Sequence, residues 1–236
     1  MAVYQNFNHE SLRIKRSADD QPSMWDDFQF GRPGIMSVYY NDFHTYDAND
    51  WTVTETQAGA TEATTDSHGG VLLITNTAAD NDIVGLQLGE SSGESLAVAA
   101  GRNIWFECRF QINDATQSDF VIGLHVTDTS PVASAPADGI YFRKDDGDTS
   151  LDCVCRASST SSEEAAVATV ADTTNITVGF KVTGTGLCEF WVNNVLEATL
   201  TTQIPTTEIR PSFCIQNGEA VAKTMSVDYI IVAATR

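Results

Sequence analysis

Basic side chains are scarce in this sequence. It has 13 Lys and Arg residues against 32 Asp and Glu residues, which gives a formal net charge of -19 over 236 residues. Nucleic-acid phosphates and anionic membranes select surfaces rich in Lys and Arg. We therefore expect neither nucleic acid nor a membrane among the partners. The charge is also uneven, because residues 1–35 carry a net charge of -1 and the remainder carries -18.

Long apolar runs are missing as well. No stretch approaches the roughly 20 apolar residues of a membrane-spanning helix. The first residues, MAVYQNFNHESLRIKR, do not contain the apolar core of a secretory signal. We expect a protein that is made and used without secretion through its own signal.

Several enzyme signatures do not occur. The sequence has no GxSxG, GxxxxGK[ST] or GxGxxG motif. Jelly-roll glycoside hydrolases carry paired carboxylates in an ExDxE spacing, which is missing, and the adjacent Glu163 and Glu164 would point to opposite faces of a strand. We predict a protein that is not an enzyme, with no catalytic residue and no cofactor; a Cys–His pair that meets only in space stays open.

The cysteines and the acidic turns do not form a metal-binding pattern. Five cysteines and four histidines show no paired zinc-ligand spacing, so we predict buried, unpaired thiols. Many lectins bind calcium through Asp and Asn oxygens, and carboxylates are concentrated at 80–82 and 144–148. Neither stretch has the spaced ligands and closing glutamate of an EF-hand loop. We predict solvated turns there and no bound metal.

From about residue 41 the chain alternates between short strands and turns. The clearest strand is Asn103–Ile112, in which every second residue from Ile104 to Ile112 is apolar. Asn193-Asn194 between two strands favours a two-residue type I′ hairpin. About a dozen strands are predicted, with one short helix at Ser162–Ala171. This pattern predicts an all-β, antiparallel sandwich.

Residues 1–40 show neither helical nor strand periodicity. They are rich in large apolar groups, unlike a disordered tail. We predict an extended N-terminal arm (1–40) followed by one jelly-roll sandwich (41–236). Two hypotheses stay open for the arm: it wraps its own domain, or it docks on neighbouring subunits. The residues proposed for such a partner interface are Tyr4, Phe7, Leu12, Arg13, Ile14, Lys15, Arg16, Met24, Trp25, Phe28 and Phe30.

Three stretches resemble the concanavalin A-like jelly roll of laminin-G, legume-lectin and pentraxin relatives. They are Asn103–Phe110, Cys188–Asn194 and Ser226–Val232. The resemblance implies that the last stretch is a closing strand. It also implies that Phe43 and Trp51 belong to the opening strand that pairs with it.

The Thr/Ala/Ser-rich strands, the stretch Asp138–Phe142 and the arm-plus-jelly-roll layout are similar to virion proteins of tailed bacteriophages. This resemblance implies a non-enzymatic capsid decoration (cement) protein on the capsid exterior, assembled in the host cytoplasm. Its partners would be the major capsid protein and neighbouring copies of itself, and a homotrimer would fit icosahedral three-fold sites.

The alternative is a carbohydrate-binding tail or receptor-binding protein of lectin-like fold. Glycan binding uses exposed aromatic rings, and Trp105 and Trp191 lie opposite the apolar face of their strands. Both could contact a glycan, or both could pack against other parts of the protein. The sequence leaves these alternatives open.

Overall fold

The computed structural model describes residues 23–25, 28, 34–65, 69–89 and 95–236. This part of the chain forms sixteen strands and one 3-10 turn, Ala48–Asp50. The strands are β1 (Met36–Asn41), β2 (Trp51–Glu55), β3 (Thr61–Thr64), β4 (Leu72–Thr75), β5 (Ile83–Leu88), β6 (Leu96–Ala97), β7 (Asn103–Ile112), β8 (Ser118–His125), β9 (Gly139–Lys144), β10 (Ser150–Ala157), β11 (Thr160–Thr169), β12 (Ile176–Thr183), β13 (Leu187–Val192), β14 (Val195–Leu200), β15 (Glu208–Asn217) and β16 (Thr224–Thr235). The described residues contain no helix long and apolar enough to span a membrane.

The strands form two antiparallel sheets. Sheet A has the order β14-β13-β12-β7-β16-β4-β3, and β1 also pairs with β16. Sheet B has the order β11-β10-β9-β8-β15-β5-β2, and β6 pairs with β15. The predicted all-β antiparallel sandwich is confirmed.

The core lies between the inner faces of the two sheets. In β7 the alternation places Phe106, Cys108 and Phe110 inward with no exposed surface. Aromatic pairs join the sheets: Phe110 of sheet A meets Phe120 of sheet B with ring centroids 5.1 Å apart, and Phe190 meets Phe142 at 5.3 Å. Edge-to-face pairs of this kind stabilise a core beyond the area they bury.

The five cysteines are buried and free, as predicted. Burial raises the pKa of the Cys153 thiol to about 12. Burial likewise raises the pKa of Cys188, and its neighbour Cys155 adds to that shift. These thiols therefore remain protonated packing groups at neutral pH.

The predicted helix at 162–171 is wrong. The segment is instead in strand β11, which pairs with β10 in an antiparallel hairpin. A bulge interrupts this pairing, where Ala166 has a positive φ of 55° and its N–H donates to Oδ1 of Asp152 at 2.8 Å. The local preference of Glu and Ala for a helix is overridden by the ladder that the neighbouring strand offers.

The predicted opening strand is also corrected. The N-terminal strand that pairs with the closing strand β16 is β1, in the register Met36↔Thr235 to Asn41↔Ile230. Phe43 follows β1 in a loop with a positive φ of 45°, and Trp51 begins β2, which pairs with β5 in the other sheet. Both rings still enter the core, and both contact Phe213.

Candidate functional site

Three residues of the predicted arm lie on the outer face of sheet A. We call Met24, Trp25 and Phe28 the strap. The other proposed interface residues (Tyr4, Phe7, Leu12, Arg13, Ile14, Lys15, Arg16 and Phe30) lie outside the described residues. The strap therefore packs on its own domain.

The strap covers the two tryptophans that the sequence offered as glycan contacts. Trp105 is 1% exposed and Trp191 is 6% exposed. The indole N–H of Trp105 donates to the carbonyl of Met24 at 3.1 Å, and its ring meets Phe28 edge-to-face with centroids 5.6 Å apart. In this structure neither ring presents a free face to a ligand.

Glu107 fixes the strap through hydrogen bonds. Its Oε2 accepts from Trp25 Nε1 at 2.8 Å, and its Oε1 accepts from the Tyr229 hydroxyl at 2.6 Å. Burial raises the pKa of Tyr229, and the Glu107 charge raises it further. Tyr229 therefore stays a protonated donor to this carboxylate.

A narrow cleft runs beside the strap. Its lining residues are Met24, Glu107, Thr177, Gly179, Trp191 and Asn194. The indole Nε1 of Trp191 is buried there without a hydrogen-bond partner. The cleft has room for about one water molecule, which is too little for a sugar ring.

A second polar surface lies on the outer face of sheet B. We call it the β9–β11 patch, and its members are Tyr141, Arg143, Asp152, Arg156, Ser161 and Glu163. The strand register brings them together: Asp152 pairs with Arg143, Val154 pairs with both Tyr141 and Glu163, and Arg156 pairs with Ser161. Because paired residues share a face, all six side chains lie on the side away from the core.

Arg143 is the hub of ion pairs in the patch. Its guanidinium lies 3.3 Å from Asp152, 3.4 Å from Asp145 and 3.7 Å from Glu163. These carboxylates raise the pKa of Arg143 against the opposing effect of its burial. The guanidinium is therefore charged and held in one orientation.

Arg156 and Tyr141 each carry a buried polar atom without a hydrogen bond. They are Nε of Arg156 and the hydroxyl of Tyr141, a residue with no exposed surface. Arg156 also donates through Nη1 to Ser161 Oγ at 2.6 Å. Burial raises the pKa of Tyr141 to about 12, against the lowering effect of the Arg156 and Arg143 charges.

The patch is closed on one side and open on the other. Val132, from the loop between β8 and β9, packs on Val121, Tyr141 and Val154. On the opposite side Ser161 and Glu163 of β11 are exposed. A ligand would therefore reach the patch from the β11 edge.

Sequence reasoning missed this site. Asp152 and Glu163 are far apart in sequence and meet only because β10 and β11 form a hairpin. A helix predicted at 162–171 excludes the pairing of β10 with β11, and with it the contact between these side chains. The sequence does contain one signal for this site. The strand Ser150–Ala157 places Asp152 and Arg156 on the same polar face.

The acidic turn after β9 makes protein contacts. Asp119 accepts a hydrogen bond from the backbone N–H of Asp146, and Asp148 accepts from the N–H of Ser150 at 2.7 Å. Burial raises the pKa of Asp119 to about 6, and the charge of Asp146 adds to that effect. Within the described ranges, no group of three or more His, Cys, Asp or Glu residues is arranged to hold a metal ion.

Comparison with solved structures identifies the sandwich as concanavalin A-like. Peanut lectin superposes with a TM-score of 0.57 at 9% identity, covering 85% of this chain and 97% of the lectin. A glycosidic hydrolase gives 0.58 at 14% identity, covering 83% and 95%. The endo-β-1,4-glucuronan lyase of the fungus Trichoderma reesei gives 0.55 at 14% identity, covering 82% and 94%.

These neighbours include both lectins and enzymes, so the likeness establishes the fold and not an activity. No protein-family model and no curated protein sequence matches the chain.

Proposed function

We propose that this protein binds carbohydrate without catalysis and that the β9–β11 patch is its binding surface. The observation that carries the proposal is the pair of unpartnered polar atoms on Tyr141 and Arg156, next to exposed polar side chains. Buried polar atoms in folded proteins are nearly always hydrogen-bonded. Unpaired buried donors behind the exposed edge of β11 are an arrangement that a polar ligand entering at that edge would complete.

Two further facts support this proposal. The structural neighbours bear carbohydrate-related names, as a lectin, a glycosidic hydrolase and a glucuronan lyase. The patch is also preorganised, because three carboxylates hold Arg143. A surface ordered before binding loses less conformational entropy when the ligand arrives.

The position of Arg143 favours binding over glycosidic cleavage. Its Nη2 contacts both Asp152, at 3.3 Å, and Glu163, at 3.7 Å. Hydrolases place two carboxylates on either side of the sugar bond. Here the guanidinium occupies the space between the two carboxylates.

A glycan array tests the proposal. We expect selective binding by the full chain, and we expect Glu163→Lys to abolish it by breaking the contact with Arg143. Glu164→Lys is the matched control, because Glu164 is equally exposed but pairs with the inward-facing Cys153, so its side chain lies on the other face. Equal loss in both variants, or no binding by the full chain, would contradict the proposal.

The bound glycans should also be analysed for shortened products. Intact glycans after prolonged incubation are expected for a binding protein. Cleavage that is lost in Glu163→Lys would show that the patch is a catalytic site and not only a binding site.

A second proposal is assembly into a phage virion as a capsid decoration protein. The specific observation is that Met36 of β1 packs with the strap, while Ile35, Val38 and Tyr40 in and next to the same strand expose apolar surface. A surface of this kind can bury apolar area against a neighbour. The proposed partners are the major capsid protein and further copies of this chain, as a trimer on the capsid exterior.

Co-sedimentation with candidate capsids tests this second proposal. The full chain should sediment with the capsid, and a truncated chain starting at Ile35 should not. Starting the truncated chain at Ile35 keeps strand β1, Met36–Asn41, in place. Undiminished sedimentation of the truncated chain would contradict a role for the arm.

A further inference from the structure

The geometry points to an anionic group, a carboxylate or sulfate on an acidic sugar, as the ligand feature that Arg156 and Tyr141 recognise. This inference rests on the carbohydrate-binding function proposed above and names the class of ligand. It assigns to Arg156 the ionic contact and to Tyr141 a hydrogen bond.

The unpaired atoms of the patch are donors. Arg156 Nε can only donate, and a protonated Tyr141 hydroxyl has a proton to give. Burial raises the pKa of Tyr141 to about 12, so the hydroxyl keeps its proton at physiological pH. A neutral sugar hydroxyl both donates and accepts, whereas a carboxylate or sulfate only accepts. The unsatisfied groups therefore match an acceptor-only ligand.

The carboxylates of the patch already have partners. Asp152 accepts from the Ala166 N–H through Oδ1 at 2.8 Å, and its Oδ2 contacts Arg143 at 3.3 Å. Glu163 is ion-paired with the same arginine. The oxygens of Asp152 are thus engaged within the patch, whereas Glu163 contacts Arg143 only at 3.7 Å and its side chain is 46% exposed.

The charge of Arg156 is not compensated in the same way. Within the described part of the chain, no carboxylate forms an ion pair with Arg156, whereas Arg109, Arg143 and Lys223 each have at least one. Arg102, Lys144 and Arg236 also form none among the described residues, but of these four only Arg156 belongs to the β9–β11 patch. A half-buried arginine held without a carboxylate is a ready site for a charge-assisted hydrogen bond to an anion.

Tyr141 and Arg156 lie close enough to share one ligand group. Gly139 pairs with Arg156 across the β9–β10 ladder. A Cβ built on Gly139 would lie 3.0 Å from Cδ1 of Tyr141, so the tyrosine ring leans over the residue that faces Arg156. The Tyr141 ring is therefore next to the strand position of Arg156, and the Arg156 charge lowers the pKa of the Tyr141 hydroxyl against the larger effect of burial.

The inference is tested by calorimetric titration with three oligosaccharides of equal length: a neutral one, a uronate and a sulfated one. We expect the acidic ligands to bind about tenfold more tightly than the neutral one, and we expect salt to weaken their binding. Arg156→Gln should remove this preference, so that the acidic ligands bind no more tightly than the neutral one. Tyr141→Phe should reduce the preference for acidic ligands in part.

Controls separate a binding effect from a folding effect. Arg109→Gln removes a partly exposed arginine of sheet A and should leave the preference intact. Thermal unfolding of each variant confirms that it is folded, and a second variant, Arg156→Lys, keeps the charge if Arg156→Gln fails to fold. Comparison of the uronate with the sulfated ligand identifies the anion.

The possible outcomes distinguish failure of the acidic-ligand inference from failure of the proposed carbohydrate-binding function. Equal affinity for neutral and acidic ligands, or a preference that survives Arg156→Gln, overturns the inference and leaves the proposed function standing. Failure to bind any of the three ligands, together with an empty glycan array, overturns the proposed function itself.

Discussion

Trp25 donates its indole N–H to Oε2 of Glu107 at 2.8 Å, a contact between residues 82 positions apart in the chain. The bond joins the strap to the central strand β7 of sheet A. Because Tyr229 donates to the other oxygen of the same carboxylate, strap and sheet share one partly buried hydrogen-bond network.

The first prediction concerns this bond. Trp25→Phe keeps an aromatic ring but removes the donor, and it should lower the free energy of unfolding by about 1–2 kcal/mol, because the acceptor is charged. Urea unfolding measures the loss. His44→Ala, which alters a side chain that is 71% exposed, should change stability by less than about 0.5 kcal/mol. An unchanged midpoint in Trp25→Phe would mean that the hydrogen bond to Glu107 adds nothing to stability.

The second prediction concerns Gly179, which lies under the strap. A Cβ at this position would be 2.8 Å from the carbonyl oxygen of Phe106 and 2.9 Å from Cε of Met24. The methionine can move away, but the backbone oxygen of a central strand cannot. Gly179→Ala should therefore displace Met24 and destabilise the protein by about 1–3 kcal/mol.

Limited proteolysis in the strap measures this displacement alongside thermal unfolding. Gly186→Ala is the matched control, since a Cβ there meets nothing within 4 Å. Equal protease resistance in the two variants would show that Met24 does not depend on the space above Gly179.

The third prediction concerns pH. The folded pKa of Asp119 is raised to about 6, mainly by burial, whereas an unfolded Asp titrates near 3.8. Between these values the native state binds a proton that the unfolded state has released. The contribution of Asp119 to stability is therefore greatest below about pH 4 and falls as the pH rises through about 6.

Asp119→Asn removes this titration while keeping an oxygen that accepts from the Asp146 N–H. We expect the variant to be more stable than the parent by about 1–3 kcal/mol at pH 7.5 and equally stable near pH 4. Chemical denaturation at several pH values measures both. A stability difference that does not change with pH would contradict the raised pKa.

The fourth prediction concerns the β13–β14 hairpin. Asn193 and Asn194 have positive φ angles of 49° and 66°, as the predicted type I′ turn requires. Asn194→Gly should be neutral or slightly stabilising, whereas Asn194→Val should lose about 1–2 kcal/mol, because a β-branched residue is strained at positive φ. Thermal unfolding separates the two, and equal behaviour would argue against this turn type.

Period-two patterns predicted much of the sandwich. Strand β7 (Asn103–Ile112) has the bounds expected from alternation alone. One side of this strand lies in the core, and its alternating hydrophobic pattern reflects that burial. Strand β11 carries almost no core residues. Its sequence therefore lacks the apolar alternation from which a strand, and its pairing with β10, could be predicted.

Trp105 shows the other limit of such reasoning. Its position opposite Phe106 correctly places it on the outer face, where a solvent-exposed ring would be expected. It is nevertheless 1% exposed, because Met24 and Phe28 return to it from 77 or more residues earlier in the chain. Contacts of this kind depend on tertiary packing, which local periodicity does not encode.

Strand β16 is an interior strand of sheet A: β7 lies on one side of it, and β4 and β1 lie on the other. During synthesis, β7 therefore emerges from the ribosome more than a hundred residues before its neighbour. Until Thr224–Thr235 is available, sheet A is split into two parts, and the aromatic inner face of β7 has no completed core against which to pack. The sandwich must consequently close late, and until that step the apolar face of β7 is open to non-native association.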